Sequence, residues 1–203
     1  MASQMLSSDQ DRRDFQGGLG FIMILRHTDS QVGPYDELVL TPGAFSSPAT
    51  MSKPKGIFAD RRVTRIWVNN EQALRNGRVN WGFRKELATF EWTEDSKTGN
   101  VRIVIHERLS GQLILDATFK KPSSLTVPAP VSLVPPFCER IIDEEGRCGE
   151  KEEWVRTEVQ GSLKARFSGM IGTPPRVGSA VFPDLQDLTI PTVLDLSGVM
   201  VFQ

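Results

Sequence analysis

The apolar residues of this chain lie mainly in short segments of strand length. These segments are 19–26, 35–40, 62–68, 87–92, 101–107, 112–119, 153–171 and 198–202. The segment 153–171 is interpreted as one long bent strand or two. The 17 Gly and 13 Pro residues exceed what a helical bundle contains and suit a chain that turns often. The sequence therefore predicts a mainly β protein.

Turn signals between the segments predict how the strands pair. Ser110-Gly111 separates segment 101–107 from segment 112–119, which is the pattern of a hairpin. The sheet is therefore predicted to be antiparallel. Segment 19–26 is continuously apolar, which is typical of a strand buried on both faces.

Helix signals are few. Asn69 and Asn70 can cap a short helix over 71–76, and Gly77 can end it in the left-handed conformation. A second helical turn is predicted at 184–188. The sequence thus predicts a few short helices beside the sheet.

The first residues differ in composition from the rest of the chain. Residues 1–16 are polar and lack periodicity, which predicts a disordered leader, and residues 17–203 are enough for a single β domain. Acidic residues stand in this leader where a secretory signal would need an apolar core. We therefore expect a cytoplasmic protein.

Charge and motifs exclude several classes of function. Lys plus Arg number 24 and Asp plus Glu 25, so no basic field for nucleic acid exists, and no apolar run approaches the roughly 20 residues of a membrane-spanning helix. His27 and His106 lack metal-ligand spacing and are interpreted as structural or surface residues. Cys138 and Cys148 exclude a disulfide framework, although a single bridge between them stays open. No metal site is predicted.

Lys85 is the residue that best carries a chemical hypothesis. It follows an apolar, aromatic segment and precedes an alternating strand. A lysine that points into a core loses its charge more readily and can then attack a carbonyl carbon to form an imine. Glu86 would point to the opposite face of the strand, because adjacent side chains alternate. A solvated surface lysine is the alternative.

Two motifs carry a resemblance to a known family. Gly77-Arg78 lies upstream of Lys85-Glu86-Leu87, and the stretch 33–38, Gly-Pro-Tyr-Asp-Glu-Leu, lies further upstream. Together they resemble the acetoacetate decarboxylase family, and its fungal members in particular. Residues 161–167 and 183–185, with the apolar end of the chain, are similar to the last strands of that family.

The resemblance implies a fold and a set of roles for individual residues. The fold is a curved antiparallel sheet that forms an open barrel or cone with a few short helices. Lys85 matches the imine-forming lysine and Glu37 the glutamate of the pocket, which orients the substrate or assists proton transfer. The residues expected to bind the substrate or line its pocket are Arg78, Trp81, Phe83 and Tyr35. The aromatic pair at 81 and 83 would exclude water from the lysine.

The chain departs from the family pattern at two places. Glu86 stands where the decarboxylase has a second lysine, and the leader 1–16 stands where the family has further strands and a pocket arginine. The part of the pocket built by those strands is either missing, supplied by another subunit, or adapted to another substrate.

The resemblance implies a carbon–carbon lyase that decarboxylates a β-keto acid, or acts on a related carbonyl compound, through a lysine Schiff base. It implies no metal or organic cofactor, a homo-oligomer, and a place in secondary metabolism. Three alternatives stay open. They are other imine chemistry on the same fold, such as an aldolase-dehydratase or a polyketide tailoring enzyme, a binding domain without catalysis, and a degenerate, inactive member.

Overall fold

The computed structural model of the protein describes residues 6, 8–46, 60–130, 134, 136–147, 153–171 and 193–202. These residues form two compact units. The N-terminal unit lies within Ala2–Ala88 and Pro135–Glu158, and the C-terminal unit lies within Thr89–Val134 and Val159–Phe202. Both units are built mainly of strands, and the two helices of the described residues belong to the N-terminal unit.

The elements follow one another along the chain in this order: α1 (Asp9–Asp14), β1 (Phe15–Gly17), β2 (Phe21–His27), β3 (Tyr35–Thr41), β4 (Ala44–Phe45), β5 (Arg65–Val68), α2 (Glu71–Trp81), β6 (Lys85–Glu94), β7 (Val101–Glu107), β8 (Leu113–Phe119), β9 (Val127–Ala129), β10 (Phe137–Arg140), β11 (Trp154–Thr157), β12 (Val159–Ser168), β13 (Met170–Ile171) and β14 (Val193–Phe202). The mainly β fold with few short helices is therefore confirmed.

The N-terminal unit contains a sheet whose strands lie in the order β2, β3, β5, β6. Strand β3 is antiparallel to both β2 and β5, and its centre is almost fully buried at Leu38, Val39 and Leu40. Strand β2 is half-buried along most of its length, with Arg26 exposed. The prediction of burial on both faces is wrong for this strand, because among the described strands only β3 pairs with it.

One pair of strands in this sheet is parallel. Residues 66–68 of β5 pair in parallel with residues 85–87 of β6, and α2 connects the two strands. Parallel neighbours need such a crossover, usually a helix. The prediction of an antiparallel sheet is thus correct for the hairpins and wrong at this pair.

Helix α2 runs further than the sequence predicts. The side chain of Asn70 accepts hydrogen bonds from the N–H groups of Gln72 and Ala73, as expected for a cap. The helix continues through Gly77 and ends at Gly82, which has a φ of 67° and donates its N–H to the carbonyl of Arg78. Gly82, and not Gly77, therefore supplies the left-handed residue that ends the helix.

Part of the predicted disordered leader has regular structure. Residues 9–14 form α1, and Phe15–Gly17 form β1, which pairs with β4. The buried guanidinium of Arg62 lies 3.1 Å from carboxylate oxygens of both Asp11 and Asp14. This long-range ion pairing explains the difference, since a local polar pattern does not reveal its partner. The assignment of residues 17–203 to one domain stays a prediction.

The C-terminal unit consists of antiparallel strand pairs. Strands β7 and β8 form an antiparallel pair, and the turn that precedes β8 contains Gly111 with a φ of 68°, so the predicted hairpin is confirmed. Strand β12 pairs with β14 on one side and with β9 on the other. Segment 153–171 is divided among β11, β12 and β13. Leu163 and Ala165 of β12 form an apolar core cluster with Ala129 of β9.

The remaining sequence predictions concern residues that are described only in part. Cys138 is buried in β10, and Cys148 lies outside the described residues, as do the predicted turn at 184–188 and the motif at 183–185. Neither described helix has the length and apolar composition needed to cross a bilayer. Within the described ranges, no group of three or more His, Cys, Asp or Glu residues could hold a metal ion.

Candidate active site

Strand register brings Glu37 and Lys85 to one face of the N-terminal sheet. Glu37 is opposite Val68 in the β3–β5 pair, and Lys85 is opposite Ile66 in the β5–β6 pair. Residues two apart on a strand share a face, so Ile66 and Val68 point to the same face of the sheet. Their paired residues, Lys85 and Glu37, point to that face as well. The two candidate catalytic side chains therefore face each other diagonally across β5.

Lys85 and Glu37 form a buried ion pair. The Nζ of Lys85 donates a hydrogen bond of 2.6 Å to Oε2 of Glu37, and each side chain is only 7% exposed. Charged groups are seldom buried so completely unless they are paired. The pair matches the expectation that the lysine points inward. Glu86 is exposed, as strand alternation predicts.

Tyr35 adds an aromatic ring to this pair. Its ring centroid lies 5.4 Å from the Nζ of Lys85, a distance at which a cation interacts favourably with the ring. Burial, and then the charge of Glu37, raises the pKa of the Tyr35 phenol. The phenol is therefore neutral at physiological pH and can act only as an undissociated hydroxyl.

His27 belongs to the same site, although the sequence indicated only a structural or surface residue. It is opposite Tyr35 in the β2–β3 pair, and the two rings stack with centroids 4.3 Å apart. Burial lowers the pKa of His27, the charge of Lys85 lowers it further, and the charges of Glu37 and Asp36 oppose this change. A neutral imidazole therefore stands beside the phenol at neutral pH.

A sequence signal for His27 did exist. It ends one strand of a hairpin and Tyr35 begins the next, so the two residues frame the turn. Side chains that face each other across an antiparallel pair lie within contact distance.

The guanidinium of Arg78 donates hydrogen bonds to backbone carbonyl groups. Its Nε and Nη2 donate to the carbonyl oxygen of Lys85 at 3.2 and 2.7 Å, and its Nη1 donates to the carbonyl of Glu144 at 2.6 Å. These contacts place the guanidinium at the start of β6, beside the backbone of the candidate nucleophile. Its role in binding substrate stays a prediction.

The two aromatic residues expected to shield the lysine have different surroundings. Phe83 is buried and packs edge-to-face against Phe137, with ring centroids 5.9 Å apart. Its carbonyl accepts the N–H of Lys85 at 2.8 Å. Trp81 is the last residue of α2 and is half-buried. Contacts of Phe83 thus support the backbone of Lys85, and shielding by either ring stays a prediction.

The arrangement allows proton exchange inside the site. At 2.6 Å, a proton can pass from the ammonium of Lys85 to the carboxylate of Glu37. The transfer removes both charges and leaves the pair with the same net charge, which a buried environment tolerates. The products are a neutral amine with a lone pair and a carboxylic acid that can return the proton.

Comparison with known proteins identifies the fold. No family model matches the chain. A solved structure of acetoacetate decarboxylase covers 96% of this chain and 78% of its own, with a TM-score of 0.51 and 14% sequence identity. Acetoacetate decarboxylase from Legionella pneumophila covers 89% of this chain and 68% of its own, with a TM-score of 0.49 and 14% identity. The first of these two similarities shows that the protein has the fold of acetoacetate decarboxylase, as predicted.

A rice protein shares more sequence over a shorter region. The Oryza sativa subsp. japonica protein named NEOXANTHIN-DEFICIENT 1 is 33% identical over 86 residues, which are 42% of this chain. The matched region spans about a quarter, 26%, of the rice protein.

Proposed function

We propose that this protein is a decarboxylase-like enzyme that acts on a β-keto acid or a related carbonyl compound through a Schiff base on Lys85. The observation that carries the proposal is the buried contact of 2.6 Å between the Nζ of Lys85 and Glu37. An amine that can pass its proton to a buried carboxylate is suited to attack a carbonyl carbon. The acetoacetate decarboxylase fold supports the same chemistry.

The proposed reaction begins when Glu37 accepts the proton of Lys85. The amine then attacks the ketone carbon, a C–N bond forms, and the ketone oxygen leaves as water to give a protonated imine. The bond to the carboxylate carbon breaks, carbon dioxide leaves, and its electron pair enters the enamine. Glu37 takes up a proton from solvent and passes it to the enamine carbon, and water hydrolyses the imine to release the ketone and the amine. No metal or organic cofactor takes part in these steps.

Glu37 is the proposed acid and base of this cycle. It takes the proton from the ammonium and, as a carboxylic acid, can return a proton to the leaving oxygen or to the enamine carbon. The ring of Tyr35 stabilises the cationic forms of the nitrogen, because it lies 5.4 Å from Nζ. Glu37 and Tyr35 therefore both act on the Nζ of Lys85, the atom that forms and breaks the bond to the substrate.

Reductive trapping tests the proposal directly. The protein is incubated with acetoacetate, or with a longer β-keto acid, and borohydride, and the adduct is located by peptide mass spectrometry. We expect a stable adduct on Lys85 that is absent from Lys85→Ala. Lys97→Ala, which removes an exposed lysine, is the matched control and should keep the adduct. Folded wild-type protein without any adduct on Lys85 would exclude the imine mechanism.

A second candidate is imine chemistry without decarboxylation, such as that of an aldolase-dehydratase or a polyketide tailoring enzyme. The contacts of Arg78 favour it, because its guanidinium donates to the backbone carbonyls of Lys85 and Glu144 and is thereby engaged in structural contacts, and this chemistry needs no arginine to bind a substrate carboxylate. Release of carbon dioxide during trapping separates the two. An adduct with carbon dioxide release supports the first candidate, and an adduct without it supports the second.

We also propose that the protein is a homo-oligomer, as the family resemblance implies, and that it lies in the cytoplasm, as the polar residues 1–16 predict. Light scattering during size exclusion tests the first part. A mass of two or more times 22.6 kDa would support it, and a mass of 22.6 kDa would contradict it. Localisation of the tagged full chain tests the second part.

A further inference from the structure

We propose that Gly77 and Arg78 are positioning residues that together hold the side chain and the backbone of Lys85 in its reactive position. This inference rests on the proposed function for its chemical meaning. The contacts that carry it do not depend on any reaction. They come from two adjacent residues of helix α2, Gly77 beside the stem of Lys85 and Arg78 bonded to its backbone carbonyl.

Gly77 leaves room for the stem of Lys85. A Cβ atom added at Gly77 would lie 2.6 Å from Cδ of Lys85, 3.2 Å from Cγ, and closer still to Cε. Contacts below about 3 Å between carbon atoms are strongly repulsive, since their optimal separation is about 3.5–4.0 Å. The lysine stem therefore passes through the space that any other residue at position 77 would fill.

The conformation of Gly77 does not require glycine. It lies inside α2 and is absent from the glycines with positive φ. Glycine in a helix interior is less favourable than alanine, because it loses more backbone entropy on folding. A helical glycine at this place therefore reflects the need for space beside Lys85.

Arg78 holds the backbone of the same lysine. Two of its nitrogens donate to the carbonyl of Lys85, and a third donates to the carbonyl of Glu144. Hydrogen bonds from a charged donor are stronger than those between neutral groups. Arg78 thus connects the start of β6 to the loop around Glu144 and fixes the point from which the lysine stem extends.

Together the two residues define where the amine lies. Arg78 fixes the carbonyl of Lys85, Gly77 opens the path of its stem, and Glu37 receives its Nζ at 2.6 Å. Errors of about 1 Å in the placement of a reacting group can lower a rate about 100-fold. Changes at positions 77 and 78 should therefore lower the maximal trapping rate more than the apparent affinity for acetoacetate.

The first experiment measures coupling between Gly77 and the lysine stem through thermal stability. Gly77→Ala is made in two backgrounds that both lack the ion pair, Glu37→Gln with Lys85→Met and Glu37→Gln with Lys85→Ala. Methionine keeps a stem and alanine removes it. We expect Gly77→Ala to raise the Tm by about 2–4 °C in the alanine background, because the helix gains alanine. In the methionine background the Tm should fall or stay unchanged.

A neighbouring substitution controls for helix propensity. Asn80 is exposed on α2, so Asn80→Ala should shift the Tm equally in both backgrounds. Equal shifts for Gly77→Ala in the two backgrounds would overturn the proposed role of Gly77. A lower Tm in both would assign the glycine to packing that does not involve Lys85, and would overturn it as well.

The second experiment measures the reactivity of the lysine. Wild type, Gly77→Ala, Arg78→Lys and Arg78→Met are treated with formaldehyde and cyanoborohydride, and methylation of each lysine is followed by mass spectrometry. Exposed Lys97 serves as the internal standard. We expect the ratio of Lys85 to Lys97 methylation to change in all three variants. Trapping with acetoacetate should show a maximal rate about 100-fold lower, with the half-saturating concentration nearly unchanged.

An unchanged methylation ratio in folded Arg78 variants would overturn the role of Arg78. Failure of the proposed function has a different signature. In that case the wild type forms no adduct with acetoacetate, while the Tm shifts and methylation ratios still show the coupling of positions 77 and 78 to Lys85.

Discussion

Two buried ion pairs in the N-terminal unit have similar exposure and different chemical capacity. In one, Lys85 and Glu37 are each 7% exposed and 2.6 Å apart. In the other, Arg62 is 8% exposed and lies 3.1 Å from both Asp11 and Asp14. A lysine can give up its proton to a neighbouring carboxylate, whereas an arginine stays protonated in proteins. Only the lysine pair can therefore produce a nucleophile.

The surroundings of the two cations are alike in kind, because aromatic rings lie near Arg62 as the ring of Tyr35 lies near Lys85. The guanidinium of Arg62 lies 4.7 Å from the ring centroid of Phe45 and 5.0 Å from that of Trp154, so aromatic rings as well as carboxylates stabilise its permanent charge. Burial of charge by itself does not indicate an active site. The informative feature is a buried cation that can lose its proton to its partner.

The largest effect is expected when the lysine is replaced by an arginine, the cation of the other pair. Lys85→Arg keeps a cation beside Glu37 but supplies no amine, so activity and imine trapping should fall by at least about 1,000-fold. Adduct mass and carbon dioxide release measure the loss. Activity retained by Lys85→Arg would contradict the assignment of Lys85 as the nucleophile.

The next effect concerns the proton acceptor. Glu37→Gln keeps the shape of the side chain and removes the base, so the rate of trapping on Lys85 should fall about 100-fold. Glu86→Gln is the matched control, because it removes an exposed carboxylate adjacent to the same lysine and should leave the rate near that of wild type. Equal rates in Glu37→Gln and wild type would remove Glu37 from the mechanism.

Loss of the ion pairs of Arg62 should lower the stability of the protein and leave imine trapping unchanged. Arg62→Met leaves Asp11 and Asp14 without their cation, so the free energy of unfolding should fall by about 3–5 kcal/mol. Urea unfolding measures this change. Arg102→Met breaks the exposed pair with Asp116 and should leave the midpoint of unfolding near that of wild type. Loss of trapping in folded Arg62→Met would contradict the comparison.

The smallest expected effect is a pH dependence beside the arginine pair. Glu139 accepts the N–H of Val63, and burial raises its pKa well above the usual 4.5. The native state therefore keeps a proton that the unfolded state loses above pH 4.5, so stability falls as the pH rises toward the native pKa. The slope is at most about 1.4 kcal/mol per pH unit.

Glu139→Gln removes this titration and keeps an acceptor for Val63. Its unfolding free energy, compared with wild type, should become relatively larger as the pH rises above 4.5. A constant difference between the two proteins across this range would show that Glu139 has the same pKa in both states.

The sequence predicted those parts of the site that depend on local pattern. Strand alternation predicted that Lys85 and Glu86 point to opposite faces, which the structure confirms with Lys85 buried and Glu86 exposed, whereas a solvated surface lysine stayed open from the sequence alone. The contact of Lys85 with Glu37 joins residues 48 positions apart, and no local pattern fixes such a register. Only the family resemblance brought those two residues together before the structure did.

The features that the sequence analysis did not predict also depend on contacts between residues that are not neighbours in the chain. The parallel β5–β6 pair follows from the helix between two strands, a signal that the predicted helix at 71–76 already carried and that the prediction of an antiparallel sheet did not use. The glycine at 77 matches a helix stop, while its function is to leave space for a side chain eight positions later. Helix α1 depends on a guanidinium about 50 positions away, since Asp11 and Arg62 are 51 residues apart.

The parallel connection through α2 also has a consequence for folding kinetics. Contacts between residues distant in sequence form after a loop has closed, and parallel pairing is intrinsically slow. Since Glu37 lies on β3 and Lys85 on β6, the amine meets its carboxylate only when both strands are in register with β5, and the proposed reactive site requires both strand pairs. If the proposed imine forms, we therefore expect the time course of its trapping during refolding to follow the formation of these strand pairs.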